Sequence, residues 1–243
     1  KSGAANPIFN AQKINWTVKA NMGERPLTAA ALEDTLPAGL GIPYEVVVKR
    51  LTLDSSGAVT AKTALTLNTD YTSTYDTATR LFKIAFPAAI DYAFEVTYTT
   101  DITDKGPTSF TNRAVLKDGP GTLSTKTANV NTPRGKAIDK YSKGLSNWYD
   151  AKYITWWIDI NTNEEGVLGQ LVDIIDAGHA LDQSSIKVYT LDVADDGTLT
   201  PTEISSGFTI SDKSATGFKI SFTDSTLSYR VIYKTNITDV DHS

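Results

Sequence analysis

Apolar and polar residues alternate in short runs along most of this chain. Clear examples are Tyr44–Val48, Phe94–Tyr98, Ile186–Tyr189 and Tyr229–Tyr233, with Gly, Pro, Asp or Asn between the runs. A period of two is typical of β-strands that bury one face, and turn residues recur about every ten positions. The pattern therefore predicts an all-β protein. The best helical candidate is the stretch Ala29–Leu32, which also suits a turn.

The sequence repeats itself at an offset of between 135 and 140 residues. Ile14–Asn21, which contains a tryptophan, matches Ile154–Asn161, and Tyr98–Thr103 matches Tyr233–Thr238. Several such matches in the same order indicate two homologous β domains in tandem.

The boundary between the repeats falls near Asn131–Gly135, where Pro and Gly interrupt the strand pattern. We assign residues 1–132 to the first domain and residues 133–243 to the second. After Tyr98 the first domain continues for about thirty residues, whereas only ten follow Tyr233. The sequence thus predicts two β-sandwiches, of which the second lacks its last strands.

Composition excludes several kinds of chemistry. Cysteine is absent, which excludes disulfides, thiolate metal sites and cysteine nucleophiles. Two histidines, His179 and His242, give little material for a catalytic triad or a metal site, so we expect no cofactor and no multiple-turnover enzyme. The net charge is −5 and no basic stripe is visible, which argues against a nucleic-acid partner. No apolar run reaches the length of a membrane-spanning helix, and a chain that begins at Lys1 without Met or signal peptide suggests an excised segment.

One acidic segment partly matches a calcium-binding loop. Asp192–Gly197 followed by Glu203 fits four positions of the pattern, but Ala194 occupies the third position. The corresponding hairpin of the first domain has no charge cluster, so an ordinary β-turn is the better interpretation. We therefore predict no metal site.

Three polar residues share strand parity with apolar neighbours, which places them on the buried face. These residues are Asp34, Asp173 and Asn112. A lysine also precedes each aspartate by the same distance, because Lys1 to Asp34 and Lys140 to Asp173 are both 33 residues. The apolar neighbours are Leu32 and Leu36 for the first aspartate, Leu171 and Ile175 for the second, and Phe110, Ala114 and Leu116 for the asparagine.

The order of these elements resembles a known family. An opening lysine, the tryptophan strand, Asp34–Leu40, Tyr98–Thr103 and Phe110–Ala114 are together similar to the immunoglobulin-like domains of Gram-positive surface adhesins of the collagen-adhesin type. The resemblance implies two tandem immunoglobulin-like sandwiches. It also implies an extracellular location on the bacterial surface, a parent protein anchored to the cell wall, and an extracellular-matrix ligand such as collagen.

In that family a lysine and an asparagine side chain join spontaneously in an intramolecular isopeptide bond, which a buried acid promotes. The resemblance implies Lys1 as the nucleophile, Asn112 as the electrophile and Asp34 as the acid. Lys140 and Asp173 match in the second domain, but their asparagine partner would lie beyond the last residue. Either that strand is cut off or disordered, or a separate donor strand that carries the asparagine docks there and becomes bonded to Lys140.

This chemistry is physically reasonable in a core. Burial disfavours charge, so it lowers the pKa of a lysine and raises that of an aspartate. A neutral amine is nucleophilic, and a protonated acid polarises the amide carbonyl. The competing interpretation is structural: Lys1 is an ordinary exposed terminus, Asp34 caps a turn, and Asn112 satisfies a strand edge.

The tryptophans suggest a second type of site. Trp157 has the opposite parity to Trp156, so one of the two is exposed, and Trp148 lies nearby in sequence. We predict Trp157 and Trp148 as ligand-binding residues, with packing between the domains as the alternative. Exposed tryptophans also suit a carbohydrate-binding β-sandwich of a secreted enzyme, which is the alternative function. A hydrolase would need two carboxylates in one pocket, and no cleft signature is present.

Overall fold

Eighteen β-strands account for the regular structure of the chain. A computed structural model describes residues 1–147, 151–166 and 169–238, and within these ranges it contains no helix. None of the described residues therefore forms a helix that is long and apolar enough to cross a bilayer. The all-β, tandem fold class predicted from the alternating pattern is confirmed. The chain divides into unit 1, Lys1–Pro133, and unit 2, Arg134–Ser243.

Unit 1 is a sandwich of two antiparallel five-stranded sheets. The first sheet has the order β1-β2-β8-β4-β5 and the second has the order β10-β9-β3-β7-β6. Large apolar side chains from both sheets fill the space between them, among them Trp16, Phe82 and Phe94. The strands are β1 (Ser2–Asn6), β2 (Lys13–Ala20), β3 (Ala30–Thr35), β4 (Tyr44–Leu53), β5 (Val59–Ala64), β6 (Thr72–Asp76), β7 (Leu81–Ala85), β8 (Phe94–Asp101), β9 (Ser109–Asp118) and β10 (Gly121–Asn131).

The helical interpretation of Ala29–Leu32 is wrong, because strand β3 begins at Ala30. Alanine favours helices in isolation, but here Ala31 pairs with Ala85 of β7 on one side and with Lys117 of β9 on the other. Pairing on both edges in a buried sheet outweighs the intrinsic preference of a few residues.

Unit 2 repeats the first sheet of unit 1 and part of the second. Its five-stranded sheet has the order β11-β12-β18-β14-β15, and its smaller sheet has the order β13-β17-β16. Tyr229, Tyr233 and Phe218 form the centre of its core. The strands are β11 (Ile138–Leu145), β12 (Tyr153–Ile160), β13 (Gln170–Ile174), β14 (His179–Val193), β15 (Leu199–Ile204), β16 (Phe208–Ser214), β17 (Gly217–Phe222) and β18 (Ser228–Ile237).

The difference between the units lies beside β13. In unit 1 the corresponding strand β3 pairs with β7 on one edge and with β9 on the other. In unit 2, β13 pairs with β17, and no strand among the described residues takes the place of β9 or β10. Among the described residues of unit 2, one edge of the smaller sheet is therefore unpaired.

Charges on the central strand pair are inverted between the units. In unit 1, Lys19 of β2 lies opposite Glu95 of β8, which also binds Lys62 at 2.7 Å. At the matching positions of unit 2, Asp159 of β12 lies opposite Arg230 of β18. Arg230 binds both carboxylate oxygens of Asp159 at 2.6 and 2.8 Å, and both residues are buried.

The acidic segment after β14 is an ordinary turn. The Gly197 amide donates to the Ala194 carbonyl oxygen at 2.8 Å, and Glu203 pairs with Lys187 on the neighbouring strand. Among residues 1–147, 151–166 and 169–238, no group of acidic or histidine side chains is arranged to hold a metal ion.

Candidate cross-link site

The predicted site residues of unit 1 come from both sheets and meet in the core. Lys1 immediately precedes β1, Asp34 lies on β3 and Asn112 on β9. The period-two pattern turns Asp34 and Asn112 inward, and both are fully buried at 0% exposure. The Lys1 side chain is also at 0% exposure. A lysine, an acid and an amide thus share a site without access to solvent.

A chain of short hydrogen bonds connects these groups. Lys1 Nζ donates to Asp34 Oδ2 at 2.5 Å, and the Tyr98 hydroxyl donates to the same oxygen at 2.6 Å. Asn112 Nδ2 donates to the Tyr98 hydroxyl oxygen at 2.9 Å. Tyr98 therefore bridges the acid and the amide, while the acid holds the amine.

Burial is the main electrostatic influence on the site. It lowers the pKa of Lys1 to about 8, and the nearby Asp34 carboxylate only partly offsets this effect. It also raises the pKa of Asp34, although the Lys1 charge and hydrogen bonds from Lys1, Tyr98 and Asn112 act in the opposite direction. Both shifts favour the uncharged forms, a neutral amine beside a protonated acid.

Two oxygen atoms of the site remain without a hydrogen-bond partner among the described residues. They are Asp34 Oδ1 and Asn112 Oδ1, and both are buried. Unsatisfied buried acceptors are costly and rare in folded proteins. A proton on the Asp34 carboxyl group would give the site the hydrogen-bond donor that these oxygens lack.

The sequence analysis missed Tyr98. Its parity makes it a core aromatic residue, and it does pack against Phe82 with ring centroids 4.8 Å apart. Burial raises the pKa of Tyr98, and the Asp34 charge adds to this effect, so the hydroxyl stays protonated. The signal that would have found it is the repeat, because Tyr233 occupies the same position in unit 2 and makes the same contact.

Unit 2 contains half of this arrangement. Lys140 Nζ donates to Asp173 Oδ1 at 2.6 Å, and the Tyr233 hydroxyl donates to Asp173 Oδ2 at 2.7 Å. The Asp173 side chain is 4% exposed, but that of Lys140 is 36% exposed, in contrast to the buried Lys1. No asparagine occupies the third position among the described residues.

Equivalent tryptophans contact the lysine in the two units. Lys1 Nζ lies 5.2 Å from the ring centroid of Trp16, and Lys140 Nζ lies 5.3 Å from that of Trp156. Each indole nitrogen donates to a threonine hydroxyl of the next strand, Thr100 or Thr235. In both units the lysine amine therefore lies near the ring of the tryptophan at the equivalent strand position.

Trp157 lies on the opposite, outer face of the large sheet of unit 2. Arg230 is 4.0 Å and Lys143 is 4.6 Å from its ring centroid, and Tyr141 packs beside it at 6.1 Å. Trp157 is partly exposed, as the parity argument allows. The other predicted ligand-binding residue, Trp148, lies outside the described residues.

Two sandwiches with the same lysine–aspartate–tyrosine arrangement define a tandem-repeat β-sandwich protein. The model of the family described as "Collagen binding domain" matches residues 1–126 and 136–243, so the chain belongs to that family. No curated protein matches the chain by sequence.

Solved structures of surface adhesins are similar to the chain at low identity. One is the collagen-binding domain from a Staphylococcus aureus adhesin (14% identity, 54% of this chain and 93% of that chain, TM-score 0.38). Another is the collagen-binding subdomain of the Enterococcus faecalis surface protein ACE (14% identity, 54% and 94%, TM-score 0.40). A third is the collagen-binding domain of the Erysipelothrix rhusiopathiae surface protein RspB (17% identity, 98% and 78%, TM-score 0.34).

Proposed function

We propose that the chain is a structural and adhesive module of a bacterial cell-surface protein, and that unit 1 closes itself with an isopeptide bond between Lys1 and Asn112. The observation that carries this proposal is the solvent-free site in which Asp34 and Tyr98 connect the amine to the amide. Membership of the collagen-binding-domain family supports the surface role and a parent protein anchored to the cell wall.

The first step is a proton transfer within the Lys1–Asp34 hydrogen bond. The proton moves from the ammonium group to the carboxylate, which leaves a neutral amine and a protonated acid. Burial stabilises this pair relative to the ion pair, because two charges in an apolar core lose their hydration. Lys1 Nζ then carries the free electron pair that a nucleophile needs.

The second step joins the two side chains. Lys1 Nζ attacks Asn112 Cγ, and the protonated Asp34 stabilises the negative charge that develops on the amide oxygen. Asp34 gives its proton to Asn112 Nδ2, which Tyr98 holds in place, and takes one from the attacking nitrogen. The Cγ–Nδ2 bond breaks and ammonia leaves. One amine and one primary amide thus become one secondary amide and ammonia, once per molecule.

The intact mass of the denatured chain tests this step. We expect the mass to fall short of the sequence mass by one ammonia, and fragmentation to connect Lys1 with Asn112. The variants Lys1→Met and Asn112→Ala should have their full sequence mass. Lys83→Met is the matched control, because Lys83 is a partly exposed lysine of unit 1 that pairs only loosely with Glu33 at 3.7 Å. A full-length mass for the unmodified chain would refute the bond.

We propose collagen as the ligand class, on the basis of the family. The outer face around Trp157 is our proposed contact surface, because Trp, Tyr and Arg side chains contribute most to the affinity of protein interfaces. Immobilised triple-helical collagen should bind the chain in a saturable way, and heat-denatured collagen should bind it less. Trp157→Ala should weaken binding at least about tenfold, whereas Trp157→Phe should retain most of it. Equal binding by both variants would exclude this surface.

Membership of the collagen-binding-domain family favours the adhesive module over the carbohydrate-binding module. For unit 2, we propose that Lys140 and Asp173 form the corresponding cross-link site, which a donor strand with an asparagine completes.

A further inference from the structure

Two lysines on the outer face of the large sheet of unit 2 contact aromatic rings instead of carboxylates. Lys143 Nζ lies 4.6 Å from the ring centroid of Trp157 and 5.3 Å from that of Tyr141. Lys234 Nζ lies 4.4 Å from the ring centroid of Tyr153. In the described part of the chain, no carboxylate lies within ion-pair distance of either amine. Both amines therefore remain available to a carboxylate of a ligand.

An ion pair is the more usual arrangement for lysines on the strands of unit 2. Asp182 is the acid that faces Lys234 from the neighbouring strand. Hydrogen bonds from Ser184 lower the pKa of Asp182, and the Lys234 charge adds to this effect without an ion-pair contact. Three other strand lysines each bind an acid directly, namely Lys140 with Asp173, Lys187 with Glu203 and Lys219 with Asp212.

The two lysines flank Thr155 of β12 from the strands on either side. Thr155 pairs with Lys234 of β18 on one side and with Gly144 of β11 on the other. Lys143 is the extra residue of a β-bulge between Ser142 and Gly144. Because neighbouring strands lie about 4.8 Å apart, the backbones of the two lysines are separated by about 10 Å. The sheet therefore sets the spacing of the two lysines around one short side chain.

Unit 1 has the same strand order in its large sheet but does not carry this arrangement. Strand β1 pairs with β2 without a bulge, so no residue of unit 1 corresponds to Lys143. The position of Lys234 is taken by Thr99, and that of Trp157 by Thr17. Because the same sheet forms without these side chains, they are not needed for the fold, which favours a role in recognition.

The charge around the two lysines restricts the kind of ligand. Residues 134–243 contain ten Lys and Arg against sixteen Asp and Glu, so most of unit 2 would repel a uniformly anionic polymer. A neutral polymer with a few carboxylates avoids this repulsion. A collagen triple helix can have this character, because its Gly–X–Y triplets combine neutral proline and hydroxyproline with occasional glutamate at X. Consecutive X positions of one chain lie about 9 Å apart, which is close to the spacing of the lysines.

We propose that Lys143 and Lys234 select collagen segments that carry glutamate at the X position of two consecutive triplets. The inference rests on the proposed collagen-binding function and adds the chemical group of the ligand that unit 2 recognises. The triple helix lies across β11, β12 and β18, and each carboxylate accepts a hydrogen bond from one ammonium group. Contact with the aromatic rings restricts the two lysine side chains, so they lose less conformational entropy when they bind.

Four peptides built on Gly-Pro-hydroxyproline triplets test the proposal against the full chain by fluorescence anisotropy. The first has glutamate at X in two consecutive central triplets, and the second has glutamine at both positions. The third has the two glutamates several triplets apart, and the fourth has the composition of the first in a shuffled order that forms no triple helix. We expect the first to bind about tenfold more tightly than the second and the third about threefold more tightly, which suits one exposed ion pair per lysine. The fourth should show no measurable binding.

Variants of the chain assign the preference for glutamate to the two lysines. Lys143→Met and Lys234→Met should each reduce the preference from about tenfold to about threefold, and the double variant should abolish it. The affinity for the glutamine peptide should change little, which a merely structural role of the lysines would not produce. Lys187→Met is the matched control, because Lys187 lies on the same sheet face but already binds Glu203; this variant should keep the tenfold preference. Raising the salt concentration from about 0.05 to about 0.5 M should remove most of the preference.

The outcomes separate this inference from the proposed function. If the glutamate and glutamine peptides bind equally well, the inference is wrong and the collagen-binding function stands. If a heparin fragment displaces no triple helix but binds the chain in a way that the double variant loses, the lysines recognise sulfated glycans and the assignment to collagen carboxylates is wrong. If neither collagen nor any triple-helical peptide binds, the proposed ligand is refuted together with the inference. Unchanged unfolding temperatures of the variants would confirm that lost preference reflects lost contacts.

Discussion

Removal of the cross-link partner should lower the stability of unit 1 by a calculable amount. Asn112→Ala is the most informative change, because it leaves the contacts of Lys1 and Tyr98 with Asp34 in place. The bond would close a loop of roughly 110 residues, and the chain-entropy relation for cross-links then gives about 5 kcal/mol. Loss of the Asn112–Tyr98 hydrogen bond adds about 1 kcal/mol. For a unit of this size the unfolding temperature should fall by about 15 to 25 °C.

Scanning calorimetry measures this effect, with the transition of unit 2 as an internal reference. A double-mutant cycle with Lys1→Met separates the bond from local packing, since neither Lys1→Met nor the double variant can form the bond. The effect of Asn112→Ala should be small in the Lys1→Met background and large in the unmodified chain. A coupling free energy below about 1 kcal/mol would refute the cross-link as the source of stability.

Three further predictions concern the buried polar groups. In the Asn112→Ala protein, Lys1 keeps a free amine whose pKa is about 8 in the folded state and 10.5 in the unfolded state, so the unfolded chain binds more protons between these pH values. The free energy of unfolding of unit 1, measured by urea titration, should therefore rise from pH about 8 to about 10. The cross-linked chain should lack this rise. Tyr98→Phe should slow bond formation after refolding by about tenfold or more, as followed by intact mass, and an unchanged rate would remove Tyr98 from the mechanism. Arg230→Met should destabilise unit 2 by about 3–5 kcal/mol, because it leaves the buried Asp159 carboxylate without its cation and with only the Tyr141 hydroxyl as a partner among the described residues; a loss below about 1 kcal/mol would show that solvent reaches the carboxylate.

The sequence was informative where a feature depends on local pattern or on the repeat. Alternation predicted the strands, and the internal matches predicted the tandem units. The equal Lys–Asp spacing drew attention to two pairs that the structure shows in contact. Each of these features is visible without knowledge of which strands are neighbours.

Features that depend on the pairing of distant strands were not visible. Ala30–Leu32 forms a strand because β7 and β9 flank it, which no local propensity indicates. Strand parity places Tyr98 in the core, but it does not reveal that the hydroxyl contacts Asp34, because this contact requires β3 and β8 to face each other across the sandwich. The ring nitrogen Nδ1 of His179 is buried beside the lysine of unit 2, a placement that no local sequence pattern indicates.

The inverted charges on the central strands have a consequence for how the two repeats fold. Homologous neighbours in one polypeptide risk exchanging strands during synthesis, because their backbones are interchangeable. A mixed pair of β2 with β18 would set Lys19 against Arg230, and a mixed pair of β12 with β8 would set Asp159 against Glu95. Like charges directly opposite each other are unfavourable, and more so where three of the four residues are buried. These charges therefore disfavour the pairing of a central strand of one repeat with a central strand of the other.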